Sequence, residues 1–124
     1  MRQPITPDNI AAPVGPFSPA VRDGDVVFTS GQVGQDPATG TLVAGGVAAQ
    51  TTQIFENIKA VLGAGGKSLA DVQKVNVYLT SMQDFAAMNQ VYAKHFDKPY
   101  PARTTIAVAA LPLGAAVEIE VVAR

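Results

Sequence analysis

Lys74-Val75-Asn76-Val77-Tyr78-Leu79-Thr80 alternates residue by residue, with Val75, Val77 and Leu79 on one side. A period of two is the mark of a strand with one face in a core. Upstream of it lies the clearest helical pattern, about residues 47 to 63. There Val47, Thr51, Ile54, Phe55, Ile58, Val61 and Leu62 recur at helical spacing, Gln53, Glu56, Asn57 and Lys59 take the other side, and Gly65-Gly66 supplies the stop. Downstream, Asp84 reads as the N-cap of a second helix, about 85 to 96, with Phe85, Met88, Tyr92 and Phe96 inward and Pro99 and Pro101 ending it. A one-sided strand between two amphipathic helices makes this an α+β chain.

The flanks supply more strands. Pro4, Pro7, Pro13, Pro16 and Pro19 forbid a continuous helix at the N-terminus, so that segment is expected to be extended and irregular. Asp23-Gly24 is a turn signal, and Val26-Val27-Phe28-Thr29-Ser30-Gly31-Gln32-Val33 reads as a buried strand. Asp36-Pro37-Ala38-Thr39-Gly40 reads as a loop and nothing more. Two last strands, about 103 to 110 and 116 to 123, flank Leu111-Pro112-Leu113-Gly114 and are expected to form a hairpin. The prediction is one domain over residues 1 to 124: a mixed sheet with two helices packed on one face. The strands read as apolar on both faces, so the far face is expected to be buried against sister subunits.

Composition narrows the chemistry. The chain has 124 residues, 48% hydrophobic and only 15% charged, below the share of about 25% usual in soluble domains. Self-association is the economical way to cover such a surface. No apolar run approaches the ~20 residues of a membrane helix, and Met1-Arg2-Gln3-Pro4 lacks a signal-peptide core, which predicts a cytoplasmic protein. Zero cysteines exclude disulfides and thiolate chemistry, and a single His95 leaves no zinc-ligand spacing. The expectation is therefore a metal-free mechanism; no other cofactor is expected for the hydrolysis inferred below. A net charge of −1, with no basic run among aromatics, argues against nucleic acid as a partner.

Three charged residues stand out among the Ile, Val and Ala of the C-terminal third: Arg103, Glu118 and Glu120. An arginine is a natural anchor for a carboxylate, because its planar fork makes paired hydrogen bonds to two oxygens. Two glutamates two residues apart on a strand emerge on the same face, roughly 6 to 7 Å apart. One cation and one carboxylate that positions water suit the hydrolysis of a small acid.

Gly15-Pro16-Phe17-Ser18-Pro19-Ala20, Thr29-Ser30-Gly31-Gln32, Pro101-Ala102-Arg103-Thr104-Thr105 and Val117-Glu118-Ile119-Glu120, in that order, carry a resemblance. With Asn57-Ile58-Lys59-Ala60-Val61-Leu62 and Asp84-Phe85-Ala86-Ala87-Met88-Asn89 between them, the chain resembles the Rid (YjgF) family of reactive-intermediate deaminases along almost its whole length. The resemblance implies a chorismate-mutase-like fold, a homotrimer, and clefts between subunits that bind small acids. It implies hydrolysis of 2-iminobutanoate and 2-iminopropanoate to 2-oxo acids and ammonia. By the same resemblance Arg103 grips the substrate carboxylate and Glu118 holds the attacking water. Gly31 and the backbone of Thr105 hydrogen-bond the ligand, while Phe17, Ser30 and Asn89 line the cleft. Two positions depart from the family pattern: Phe17 stands where tyrosine is common, and Thr105 where cysteine is common.

Without the resemblance the blander readings are a surface arginine at a strand start, a solvent-facing Glu118, a core Phe17, a helix-surface Asn89 and a Gly31 that only permits close packing. Glu120 is assigned to that blander class, and His95 is read as a surface residue near a helix end. A rival from another class is a binding module in which the same cleft senses 2-oxo acids and Glu118 only accepts hydrogen bonds. The ribonuclease role ascribed to some relatives fits poorly with a sequence pI near 5.6 and one histidine.

Overall fold

In the computed structural model, which describes all 124 residues, the chain forms strands β1 (Gln3–Ile5), β2 (Ala20–Asp23) and β3 (Val26–Thr29), helix α1 (Gly46–Ala64), strand β4 (Val72–Leu79), helix α2 (Phe85–Tyr92), and strands β5 (Ala102–Ala107) and β6 (Val117–Ala123). The six strands make one sheet in the order β1-β2-β3-β6-β4-β5, antiparallel throughout except for the parallel pair β4 and β5. The mixed sheet and two helices are as the sequence predicts.

The core lies between the helices and one face of the sheet. Val75, Val77 and Leu79 of β4 sit in register with Val121, Ile119 and Val117 of β6. Ile54, Phe55, Ile58, Val61 and Leu62 of α1 and Met88 of α2 cover them, all fully buried. Phe55 is the hub, edge-on to Tyr92 and Phe96 and stacked at 4.3 Å on His95. His95 is therefore half-buried, with Nδ1 2.9 Å from the Val91 carbonyl, and is not the surface residue expected.

Other expectations need correcting. The last two strands are not a hairpin: β4 lies between them, with β5 on one edge and β6 on the other. Burial explains the order. β6 buries every second residue and belongs in the middle of the sheet, whereas β5, largely exposed, tolerates an edge. β3 stops at Thr29, four residues early. From Phe28↔Val122 to the bridge Gln32↔Ile119 the first strand advances four residues and β6 only three, so one extra residue bulges out. Thr29 Oγ1 takes the Val121 N–H at 3.0 Å in place of a ladder carbonyl. The N-terminal segment is extended, but it contributes the paired edge strand β1. α2 ends at Tyr92, although Phe96 still reaches the core. Asp84 does stand at the N-cap of α2, as expected, but makes no side-chain capping bond; the preceding 3-10 turn is capped by Ser81, whose hydroxyl accepts from the Gln83 N–H.

The sheet face away from the helices is not uniformly apolar. It presents Lys74, Asn76, Tyr78, Thr104, Glu118 and Glu120 beside Phe28, Ile106 and Val122, as the register requires. No helix is long and apolar enough to cross a membrane.

The hub role of Phe55 gives the first prediction. Phe55→Ala should lower stability by about 3–5 kcal/mol, because its fully buried ring leaves a cavity under both helices. Chemical denaturation at fixed protein concentration reads this directly. A loss under about 1 kcal/mol would contradict the core placement.

Candidate functional site

The sequence-predicted residues separate into two groups on opposite faces of the sheet. Glu118 lies opposite Tyr78 on β4, on the open face. Arg103 lies opposite Val75, on the helix face. Two strand spacings separate β6 from β5 and three residues separate the two register positions on β4, so roughly 10 Å in each direction, as well as the sheet itself, lie between them.

The bulge builds the first group. The extra residue after Thr29 brings Gly31 directly over the Glu118 side chain. A Cβ at position 31 would stand 2.6 Å from Glu118 Oε1 and 2.7 Å from its carboxyl carbon, so only glycine leaves the carboxyl where it is. Reciprocal backbone hydrogen bonds between Gln32 and Ile119, at 2.8 and 3.0 Å, fix that register. Ser30 ties the neighbouring loop down: its hydroxyl donates to the Ser18 carbonyl at 2.6 Å and its N–H to the Pro19 carbonyl at 2.9 Å. This leaves Phe17 at the rim, 53% exposed. Phe17, Ser30, Gly31 and Glu118 line one cleft of about 560 Å³, walled also by Ile10, Val14 and Leu113.

The two glutamates share a face but differ in occupation. Glu120 Oε1 accepts from Tyr78 Oη at 2.5 Å and Asn76 Nδ2 at 3.2 Å. That bond, together with desolvation, pushes the Tyr78 hydroxyl up to about 12. Glu118 has neither a side-chain hydrogen bond nor a cation within the chain. Burial first, then the nearby Glu120 charge, holds its carboxyl above the usual glutamate value. Of the pair, Glu118 is the one free to work on something else.

The second group is assembled by α2. Arg103 Nη1 donates to Asn89 Oδ1 at 2.7 Å, and the guanidinium carbon stands 4.6 Å from the centroid of Tyr92 and 5.6 Å from that of Phe85. Aromatic faces and a neutral amide stabilise the cation without neutralising it. No carboxylate of the chain lies within ion-pair distance. Arg103 is therefore held in place with its charge unspent. Asn89 thus helps to position Arg103 through a neutral hydrogen bond. Thr105 shares the Arg103 face, opposite Val77. Val108 N–H bonds Leu79 on β4, so by strand alternation the Thr105 N–H points to the free edge. The Thr105 hydroxyl and the Tyr92 hydroxyl are both buried without partners.

Sequence reasoning missed Tyr92 and Phe85 as the platform under Arg103, because their spacing marked them only as core. It also missed Leu113, which looked like a turn residue. No three His, Asp or Glu side chains converge into a metal-binding cluster. A second cleft of about 550 Å³, between residues 69 to 73 and 95 to 102, contains none of the predicted residues.

Comparison with known proteins agrees with the fold. Residues 8 to 124 match the family model described as endoribonuclease L-PSP. A RutC family protein of Pyrococcus horikoshii is 47% identical over 123 residues, 99% of this chain and 98% of that protein. A 2-iminobutanoate/2-iminopropanoate deaminase of Dermatophagoides farinae is 44% identical over 108 residues, 87% of this chain and 84% of the relative. Among solved structures, RidA from an Antarctic Psychrobacter superposes with a TM-score of 0.94 at 50% identity, covering 98% of both chains.

The tight approach at position 31 is testable without a ligand. In Gly31→Ala the Glu118 carboxyl must retreat from 2.6 Å to at least the 3.4 Å of ordinary contact. Because that carboxyl is the end of a flexible side chain, the unfolding midpoint should move by no more than a few degrees. A crystal structure of the variant should show the Glu118 side chain in a new rotamer. An unmoved Glu118 would show that the bulge does not set its position.

Proposed function

The chain belongs to the endoribonuclease L-PSP family, which is the Rid (YjgF) family of reactive-intermediate deaminases, and from that premise we propose that it is a 2-iminobutanoate/2-iminopropanoate deaminase. The observation that carries the reading is the pair of half-buried, unpaired charges, Arg103 and Glu118. A buried-side charge left without a partner destabilises a fold and is kept where a ligand completes it.

In the proposed reaction Arg103 binds the carboxylate of the imino acid through two parallel hydrogen bonds. Glu118 accepts a proton from water as the water oxygen bonds to the imine carbon. The imine nitrogen takes up that proton, the hydroxyl of the tetrahedral adduct then gives its own proton to the nitrogen as the carbon–nitrogen bond breaks, and ammonia leaves a 2-oxo acid. In this reading the Thr105 N–H at the sheet edge and the backbone beside Gly31 donate to the substrate. The imine is already electrophilic, so one cation, one carboxylate and fixed donors are enough and no metal or cofactor enters the proposal.

Arg103 and Glu118 of one chain lie on opposite sheet faces, so the proposed site joins Glu118 of one subunit to Arg103 of the next in a homotrimer. The exposed Phe28 and Ile106 on the open face, and the free edge of β5, support that assembly. A ribonuclease role has less support: the net charge is −1, and the cleft around Glu118 is lined by no Lys or Arg.

Two variants test the chemistry. Arg103→Ala should abolish both 2-oxobutanoate binding and turnover, since removing one partner of a desolvated charge pair costs on the order of 2–5 kcal/mol. Glu118→Gln should retain binding by calorimetry but lose roughly 10²- to 10⁴-fold in ammonia release from 2-iminopropanoate. Full turnover in Glu118→Gln excludes it as the base. Binding without any acceleration by the parent protein establishes a sensor or binding module instead.

The raised Glu118 carboxyl adds a pH dependence. The base is the ionised form, present only above its folded-state pKa, and burial raises that pKa. The acid limb of kcat/KM should therefore lie above the ordinary glutamate range and vanish in Glu118→Gln. A limb at the ordinary value, or one unchanged by the substitution, contradicts the assignment.

A further inference from the structure

Leu113 is the one non-glycine residue with a positive φ, at φ 61° and ψ 14°. Gly114 follows at φ 70°, and the Ala115 N–H bonds the Pro112 carbonyl at 3.0 Å. These are the dihedrals of a type I′ turn, whose first central position favours Asn or Gly because a branched apolar side chain crowds its own backbone there. Leucine is a poor choice for the turn. Nor is it recovered as core, since its side chain is 59% exposed. The strain therefore contributes nothing to packing within the chain.

What the strained turn does accomplish is a wall. Leu113 lines the Glu118 cleft together with Pro112, Ile10, Val14 and Phe17, which give it an apolar wall. Glu118 is the only charged residue lining the cleft. An apolar wall beside a lone carboxylate suits the side chain of an apolar imino acid better than that of a polar or charged one, which would lose its water there without gaining a partner.

We propose that Leu113 is a specificity-determining residue, held in a strained turn to favour 2-imino acids with larger apolar side chains, branched or aromatic, over polar or charged ones. This rests on the imine-hydrolase reading and extends its substrate class. The structural argument is the coincidence at one residue of an unfavourable backbone conformation, exposure and a place on the wall of the cleft that holds the proposed base.

Leu113→Asn separates the two effects, because asparagine suits the turn and spoils the wall. The unfolding midpoint should equal or exceed that of the parent. The preference in kcat/KM for the leucine-derived imine over the alanine-derived one should fall roughly 5- to 20-fold, the scale of a partly exposed apolar contact. The same comparison is made on binding, by calorimetry with 4-methyl-2-oxopentanoate and 2-oxopropanoate. If the parent hydrolyses no imine, the deaminase reading fails while the affinity ratio still decides the part of Leu113. An unchanged ratio in both assays overturns the proposal. So does a variant that is less stable or changes its oligomeric state, which would make Leu113 a contact between subunits.

Discussion

Everything in this molecule hangs on the alternation of β6 in the middle of the sheet. Val117, Ile119, Val121 and Ala123 point into the core against α1 and β4 and are essentially inaccessible. The same pleat must then put Glu118 and Glu120 on the other face, because successive side chains of a strand leave opposite sides. A register slip of one residue would carry both carboxylates into the core at prohibitive desolvation cost. The packing that stabilises the domain is therefore also what aims the proposed base. Arg103, on the helix face of β5, is fixed to the opposite side by the same logic.

Local devices refine the two halves. On one side the Thr29 bulge, the Ser30 tie to Ser18 and the absent Cβ of Gly31 give Glu118 a defined and partly dry seat. On the other, Asn89, Tyr92 and Phe85 hold the Arg103 guanidinium by a neutral hydrogen bond and ring faces. Tyr78 and Asn76 occupy Glu120 and so distinguish two glutamates that the sequence presents as near equivalents. Each half is internally consistent, and each leaves one charge unanswered. In the proposed assembly, substrate and neighbouring subunit answer both.

Elements governed by local periodicity were legible in the sequence: α1 within a residue at either end, the alternation of β4, and the shared face of Glu118 and Glu120. Features set by long-range pairing were not. The apparent hairpin of β5 and β6 rested on their closeness in sequence, yet β4 and β5 pair in parallel across α2 and leave the other edge of β4 to β6. The bulge was invisible because Val26 to Val33 is uniformly strand-like and only the β6 register reveals the extra residue. Arg103 and Glu118 stood out as charges in an apolar stretch and took their separate roles from the resemblance, which alone raised Gly31, and the structure places the three in two groups that the residue list alone could not separate. Tyr92 and Leu113 carried no signal, since a core aromatic and a turn leucine look alike whether or not they serve a site.

Subunit mixing tests the central claim that Arg103 and Glu118 act from different chains. Arg103→Ala and Glu118→Gln proteins, each inactive alone, are unfolded and refolded together in equal amounts, and ammonia release from 2-iminopropanoate is measured. Random trimers with heterologous interfaces should recover about a quarter of the parent activity, because each site then needs one particular variant on each side. No recovery in mixed trimers, shown to form by differential tagging, would contradict the account and confine both residues to a site within one chain.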